Sequence, residues 1–186
     1  MRNEGIVELY APRRTLIGRD GITKIPHFLQ RLSSKCVLVV TDKGLIKVGT
    51  AGKVTAVLDN ANIQYVVYDG VEPNPTTRIV YDALHFYQEH QCDAIIAIGG
   101  GSAIDAAKGM WLFYEHPDTS FDGLRQRFLD IRKRAFKFPK LGQKAKLVAI
   151  PTTSGTGSEV TSFSVITDKQ NGNIKYPLAD YRLTPD

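Results

Sequence analysis

Gly99-Gly100-Gly101-Ser102 is the stretch of this chain best equipped for chemistry, because three consecutive glycines let the backbone approach a ligand closely. They follow the apolar run Ile95-Ile96-Ala97-Ile98, which reads as a buried strand. After them Ala103, Ala107, Met110 and Tyr114 recur on one helical stripe, with Ile104 and Trp111 beside it. Ser102 and Asp105 are expected to cap this helix, as N-cap and acidic N3. The first N–H groups of a helix lack partners and carry partial positive charge. Strand, glycine turn and helix start therefore make a cradle for a diphosphate. The spacing is not the G-x-G-x-x-G fingerprint, whose third glycine is missing, and no Lys-Ser or Lys-Thr completes a Walker A loop. A tight turn without a ligand is the alternative that these residues leave open.

Two further polar segments follow apolar runs. Asp42 comes just after Val37-Leu38-Val39-Val40, and Thr152 to Ser158 come after Leu147-Val148-Ala149-Ile150. A carboxylate at a strand end accepts hydrogen bonds from ribose hydroxyls and repels a 2′-phosphate; an ordinary turn acid is the competing interpretation. The hydroxyls and N–H groups of Thr152 to Thr156 suit phosphate or nicotinamide, and they equally suit a helix start. Thr156 with Glu159 matches a capping box, which predicts a short helix near Gly157. Asn74 ahead of Pro75 predicts an N-cap with proline at N1, for a helix running to about His90.

The elements that must position these residues alternate along the chain. Ile6 to Ile17 suggests an extended, hairpin-like opening, and Ile22 to Leu32 a helix starting late because of Pro26. Ala51 to Ala61 has helical spacing through Val54, Val57 and Leu58, and Ile63 to Tyr68 reads as a strand. The helix before His90 buries Ile79, Ala83, Phe86 and Tyr87. Phe163 to Thr167 and Ile174 to Leu178 read as a hairpin around Asn171-Gly172-Asn173. Such alternation predicts an α/β fold: a Rossmann-like parallel sheet with helices on both faces, plus a C-terminal β-hairpin. Ligands of such sheets bind at the C-terminal strand ends, where all three polar segments fall.

Composition narrows the partners. The 186 residues suffice for one buried domain, with 42% hydrophobic and 23% charged residues. No run is long enough to span a membrane and Met1-Arg2-Asn3-Glu4 lacks a signal-peptide core, so the expectation is a cytoplasmic protein without a membrane partner. Much of the net charge of +5 lies between Arg125 and Lys146. There Phe121, Leu124, Phe128, Ile131 and Ala135 repeat at helical spacing, which favours an amphipathic helix with a solvated basic face over a nucleic-acid patch. Cys36 and Cys92 each precede an apolar run and read as buried thiols without metal spacing.

Gly99-Gly100-Gly101-Ser102 with Asp105 and Lys108, followed by Pro151-Thr152-Thr153-Ser154-Gly155-Thr156-Gly157-Ser158-Glu159-Val160-Thr161, resembles the iron-dependent alcohol dehydrogenase family over nearly the whole chain. Phe121 to Lys146 and Lys175-Tyr176-Pro177-Leu178-Ala179-Asp180-Tyr181 look closest to the alcohol dehydrogenase half of bifunctional aldehyde–alcohol dehydrogenases. The resemblance implies that residues 1–186 are an N-terminal NAD-binding α/β domain, to be followed by a helical metal domain. It implies that Asp42 contacts the adenosine ribose, Asn74 lies along the cofactor, and Gly100, Gly101 and Ser102 hold the pyrophosphate. Thr152, Thr153, Thr161, Phe163 and Lys175 would line the rest of the cofactor site. The implied substrate is a small primary alcohol or aldehyde, exchanging hydride with NAD(H).

The family binds iron(II) through an Asp-x-x-x-His pair and two further histidines. This chain has His27, His85, His90 and His116, none four residues after an aspartate. The expectation is therefore a cofactor domain with no catalytic or metal residue of its own, truncated ahead of the metal domain. Such a chain should be inactive alone, and should be an oligomer or the partner of the missing domain. A non-catalytic dinucleotide-binding or assembly module is the other interpretation.

Overall fold

Strand β3 (Cys36–Val40) has no exposed side, because Val37 and Val39 pack into one apolar layer while Leu38 and Val40 pack into another. Val37 to Val40 are each 0% exposed, and every such buried Val or Leu contributes about 1.5–3 kcal/mol. Only a strand inside a sheet covered on both faces reads this way. The computed structural model describes residues 7–10, 14–121 and 139–186. Its central sheet is fully parallel, in the order β4 (Gln64–Tyr68), β3, β5 (Ala94–Gly99), β6 (Lys146–Pro151). Helices α1 (Ile25–Arg31) and α3 (Thr50–Asn60) cover one face through Ile25, Leu29, Ala51, Val54 and Leu58. Helices α4 (Thr77–Glu89) and α5 (Gly101–Glu115) cover the other through Ile79, Ala83, Tyr87, Ile104, Ala107 and Trp111.

Two antiparallel pairs flank this sheet: β1 (Val7–Tyr10) with β2 (Arg14–Ile17), and β7 (Phe163–Asp168) with β8 (Ile174–Ala179). Both hairpins and the parallel sheet agree with the sequence expectation. The β7–β8 hairpin docks through Tyr176, whose ring lies 5.8 Å from that of Phe121. Helix α2 (Lys43–Lys47) was not anticipated; its five residues are too few to show a period. The basic amphipathic helix expected between Phe121 and Ala135 lies, beyond Phe121 itself, outside the described residues. No helix among the described residues is long and apolar enough to cross a membrane.

Three expected caps are corrected. Helix α5 takes Gly100 as its N-cap and starts at Gly101, so Ser102 and Asp105 form no capping box. Asp105 faces β7 instead, its Oδ2 accepting from the Val165 N–H at 3.0 Å. Helix α4 is capped by Thr76, whose Oγ1 accepts from the Ile79 N–H at 3.4 Å; Asn74 sits before it with φ +56°. After Gly157 the chain makes one turn and no helix, since the Val160 and Thr161 N–H groups both donate to the Gly157 carbonyl.

Candidate functional site

Because β4 and β5 flank β3 on opposite sides, the loops leaving β3 and β5 diverge at their C-terminal ends and open a cleft. The cleft encloses about 1320 Å³. Asp42 enters from β3, Gly70 and Val71 from beyond β4, Gly100 to Ser102 from beyond β5, and Thr152 to Thr156 from beyond β6. The topology thus brings four strand ends around one space.

The glycine turn fits a closely approaching ligand. Gly99 holds φ +155°, and a Cβ there would stand 2.6 Å from the Ala103 Cβ. A Cβ on Gly100 would meet Thr153 Cγ2 at 3.3 Å, and one on Gly101 would meet Thr156 Cγ2 at 3.1 Å. The threonine loop therefore lies directly over the turn, tied by the Thr152 N–H to the Gly99 carbonyl at 2.9 Å. No side chain caps α5, so its first N–H groups stay available to an anion. Asp42 uses one oxygen as a cap, Oδ1 accepting from the Leu45 N–H at 3.0 Å. Its Oδ2 lies on the Gly99 side, 3.8 Å from where a Gly99 Cβ would be.

The far wall carries residues that the sequence did not single out: Tyr68, Arg78 and Asp82. Gly70 leaves room for the Tyr68 ring, which a Cβ would meet at 2.7 Å. Burial, reinforced by Asp82, pushes the Tyr68 hydroxyl up to about 12, and the hydroxyl donates to the Ile79 carbonyl at 3.5 Å.

Of the residues expected to hold the cofactor, Asp42, Gly100, Gly101, Ser102, Thr152 and Thr153 line this cleft together. Asn74 sits at its margin, its N–H donating to Ser102 Oγ at 3.3 Å. Thr161, Phe163 and Lys175 are not among the lining residues; Phe163 is 51% exposed at the start of β7, and Lys175 is exposed on β8. Thr161 and Phe163 instead offer backbone carbonyls to Lys108, a fully buried cation on α5. Burial holds its ammonium down to about 8, against the opposing pull of Asp105 and Glu159. Asp105 is itself raised by burial, offset in part by its bond from Val165.

The residues around the glycine turn fit a dinucleotide: a backbone cradle without Cβ atoms, an uncapped helix start and a carboxylate beside them. They do not fit iron. Among the described residues no group of three His, Cys, Asp or Glu comes close enough to hold a metal ion.

Known proteins are similar to this chain in sequence and fold. The bifunctional aldehyde-alcohol dehydrogenase AdhE of Escherichia coli K12 is 54% identical over 152 residues, which cover 82% of this chain and 17% of that protein. The NADPH-dependent butanol dehydrogenase of Clostridium saccharobutylicum is 43% identical over 175 residues, covering 94% of this chain and 42% of the relative. Among solved structures, sulfoacetaldehyde reductase from Bifidobacterium kashiwanohense in complex with NAD+ superposes with a TM-score of 0.73 at 26% identity, over 91% of this chain and 42% of the other. The chain thus spans less than half the length of each of these proteins. The profile of iron-containing alcohol dehydrogenases matches residues 12–186, nearly the whole sequence. With the glycine turn, the threonine loop and the switch-point cleft in one fold, the chain belongs to the iron-containing alcohol dehydrogenase family.

Proposed function

We propose that residues 1–186 form the NAD-binding domain of an alcohol dehydrogenase that interconverts a small primary alcohol and its aldehyde. The single observation that carries this is the glycine turn at the switch point, too tight for any Cβ at Gly99 and roofed by Thr153 and Thr156. Asp42 accepts from the adenosine ribose hydroxyls, and Gly100, Gly101 and Ser102 hold the pyrophosphate through backbone N–H groups. Asn74 borders that path. Thr152, Thr153, Thr161, Phe163 and Lys175 serve the nicotinamide side. When bound, the nicotinamide supplies hydride acceptance and donation at a carbon. The chain's own work is to bind, orient and shield that ring.

The NAD+ complex of the Bifidobacterium relative supports this choice of cofactor, whereas the Clostridium relative's name gives NADPH. Iron(II) belongs to the complete enzyme, with its ligands outside this chain, and so does turnover. Calorimetric titration of the 186-residue chain with NAD and NADH tests the assignment. Saturable binding at one site is the expected result. A folded chain that takes up neither cofactor at millimolar concentration would refute it.

A further inference from the structure

Lys108 lies about two turns into α5 from the glycine cradle. Its side chain is 0% exposed, and its ammonium donates to the carbonyls of Ser158 at 2.6 Å, Thr161 at 2.7 Å and Phe163 at 2.8 Å. An ammonium has three N–H groups, so all of them are spent on one short segment of backbone. That segment makes only one turn of its own, the Val160 and Thr161 N–H groups both closing on Gly157. It has no helix or sheet to hold its shape until β7 begins. Three carbonyls converging on one point repel one another unless a cation sits between them. Asp105 and Glu159 favour the charged form from nearby. Asp105 also takes the Val165 N–H on Oδ2, and its carbonyl accepts from Ser164 Oγ at 2.8 Å, so one face of α5 grips the chain at five successive places.

The same segment ends the threonine loop that roofs the glycine turn. We propose that Lys108 is a positioning residue: an internal cation that holds the backbone from Ser158 to Phe163 in the shape that receives the nicotinamide half of the cofactor. It touches no reacting atom and acts through the loop. The proposal rests on the NAD assignment above for the ligand, and on the carbonyl geometry alone for the cation.

The test uses the 186-residue chain as wild type, Lys108→Met, which keeps the apolar stem, and Lys108→Ala, which opens space for an added cation. NAD and AMP are titrated separately, AMP probing the adenosine half only. Lys108→Met should weaken NAD by about tenfold or more, the loss of one charge-assisted bond's worth of order, while AMP stays within about twofold. Lys108→Ala should show the same split and recover NAD affinity in propylammonium chloride. Tetramethylammonium chloride at equal ionic strength, a cation without N–H groups, should not restore it. Unchanged NAD affinity, equal losses for NAD and AMP, or absence of rescue would overturn the proposal.

If wild type is folded yet binds no NAD, the cofactor assignment fails, and hydrogen exchange decides the positioning role by itself. The Val160, Thr161 and Val165 amides should then exchange faster in Lys108→Met and slow again in Lys108→Ala with propylammonium; equal protection in all forms refutes it. Should neither variant fold even in the cold, Lys108 is a support of the core and not a positioner of this loop.

Discussion

The Cβ that Gly99 lacks would stand 2.6 Å from the Cβ of Ala103, and Gly99 already holds φ +155°. Strand β5 passes into α5 only because nothing occupies that space. Gly99→Ala meets both a clash with a buried helix and a disfavoured backbone region, so it should cost about 2–4 kcal/mol of stability. Urea unfolding measures this directly. Gly101→Ala should be milder, because its neighbours are the ends of Thr156 and Ser158 side chains, yet it should weaken NAD by filling the cradle. A Gly99→Ala chain as stable as wild type would mean that the turn is less tight than described.

If Asp42 holds the adenosine ribose as proposed, it governs the choice between NAD and NADP. A ribose hydroxyl gains an ion–neutral bond of about 1.5–3 kcal/mol there, whereas a 2′-phosphate brings about two negative charges beside the carboxylate. Wild type should therefore prefer NAD by at least about tenfold, or 1.4 kcal/mol. Lys43 and Arg78 line the same cleft and offset part of the repulsion. The carboxylate also caps α2. Asp42→Ser keeps a capping oxygen while removing the charge, so it should narrow the ratio mainly by improving NADP, with little change in melting temperature. Paired binding titrations decide this; an unchanged ratio would leave Asp42 as a cap alone.

What the sequence made legible here was periodicity. Val37 to Val40, Ile95 to Ile98 and Leu147 to Ile150 are apolar at every position; the first two are the central strands β3 and β5, buried throughout, and the third is the parallel edge strand β6, which is only partly buried. Asp42, the glycines and Thr152–Thr153 could be placed together because strand ends in such a sheet share one side. Caps were less legible: Ser102 and Asn74 satisfy local rules that the backbone does not use, and Thr156 Oγ1 accepts from the Ser158 N–H at 3.4 Å above a turn that never becomes a helix. Asp105 is taken by Val165 and Asn74 yields to Thr76, both choices set by tertiary packing. Lys108 was equally opaque. Its partners lie 50 to 55 residues away and are backbone carbonyls, which carry no signature in residue type.

Glu115 offers a test of how β6 is set in place. Its Oε1 accepts from the N–H groups of Gly142, Lys144 and Ala145 and its Oε2 from that of Gln143, at 2.9 to 3.1 Å. Trp111 Nε1 donates to the Ala145 carbonyl at 3.0 Å on the same side. Glu115→Ala strips this loop of its acceptor and leaves buried N–H groups without partners, a loss of about 3 kcal/mol or more. Glu115→Gln retains one carbonyl oxygen and should lose less. Equal denaturation midpoints for all three proteins would show that the loop orders itself without the carboxylate.

The pH dependence of stability carries a mark of Lys108. Burial lowers its ammonium from 10.5 to about 8. Between these values the unfolded chain binds the proton more fully than the folded one, so stability rises with pH through this window. The burial cost is present in full below about pH 8 and is relieved as pH climbs toward 10.5. Burial also raises the Cys92 thiol and the Tyr87 hydroxyl, and these act in the opposite direction at alkaline pH. Subtracting Lys108→Met from wild type at each pH removes their common part. The difference should shift in wild type's favour from pH 8 to pH 10, and a flat difference would count against a buried, titrating lysine.

The order β4-β3-β5-β6 also has a kinetic side. Leu38 finds its neighbours at Val66 and Ile95, and Ile95 finds its second neighbour only at Leu147. No pair in the central sheet is local, so each one must close a long loop before it gains anything. The threonine loop cannot come to rest on the glycine turn until β6 has joined β5, which makes the roof the last part of the cleft to assemble. During synthesis, a nascent chain that has released β5 and α5 holds the residues of the glycine turn, but lacks their roof until Thr153 and Thr156 emerge. On the proposed NAD assignment, a complete binding cleft is thus tied to β6, and a pause in translation after α5 would leave an open cleft with an unpaired β5 edge.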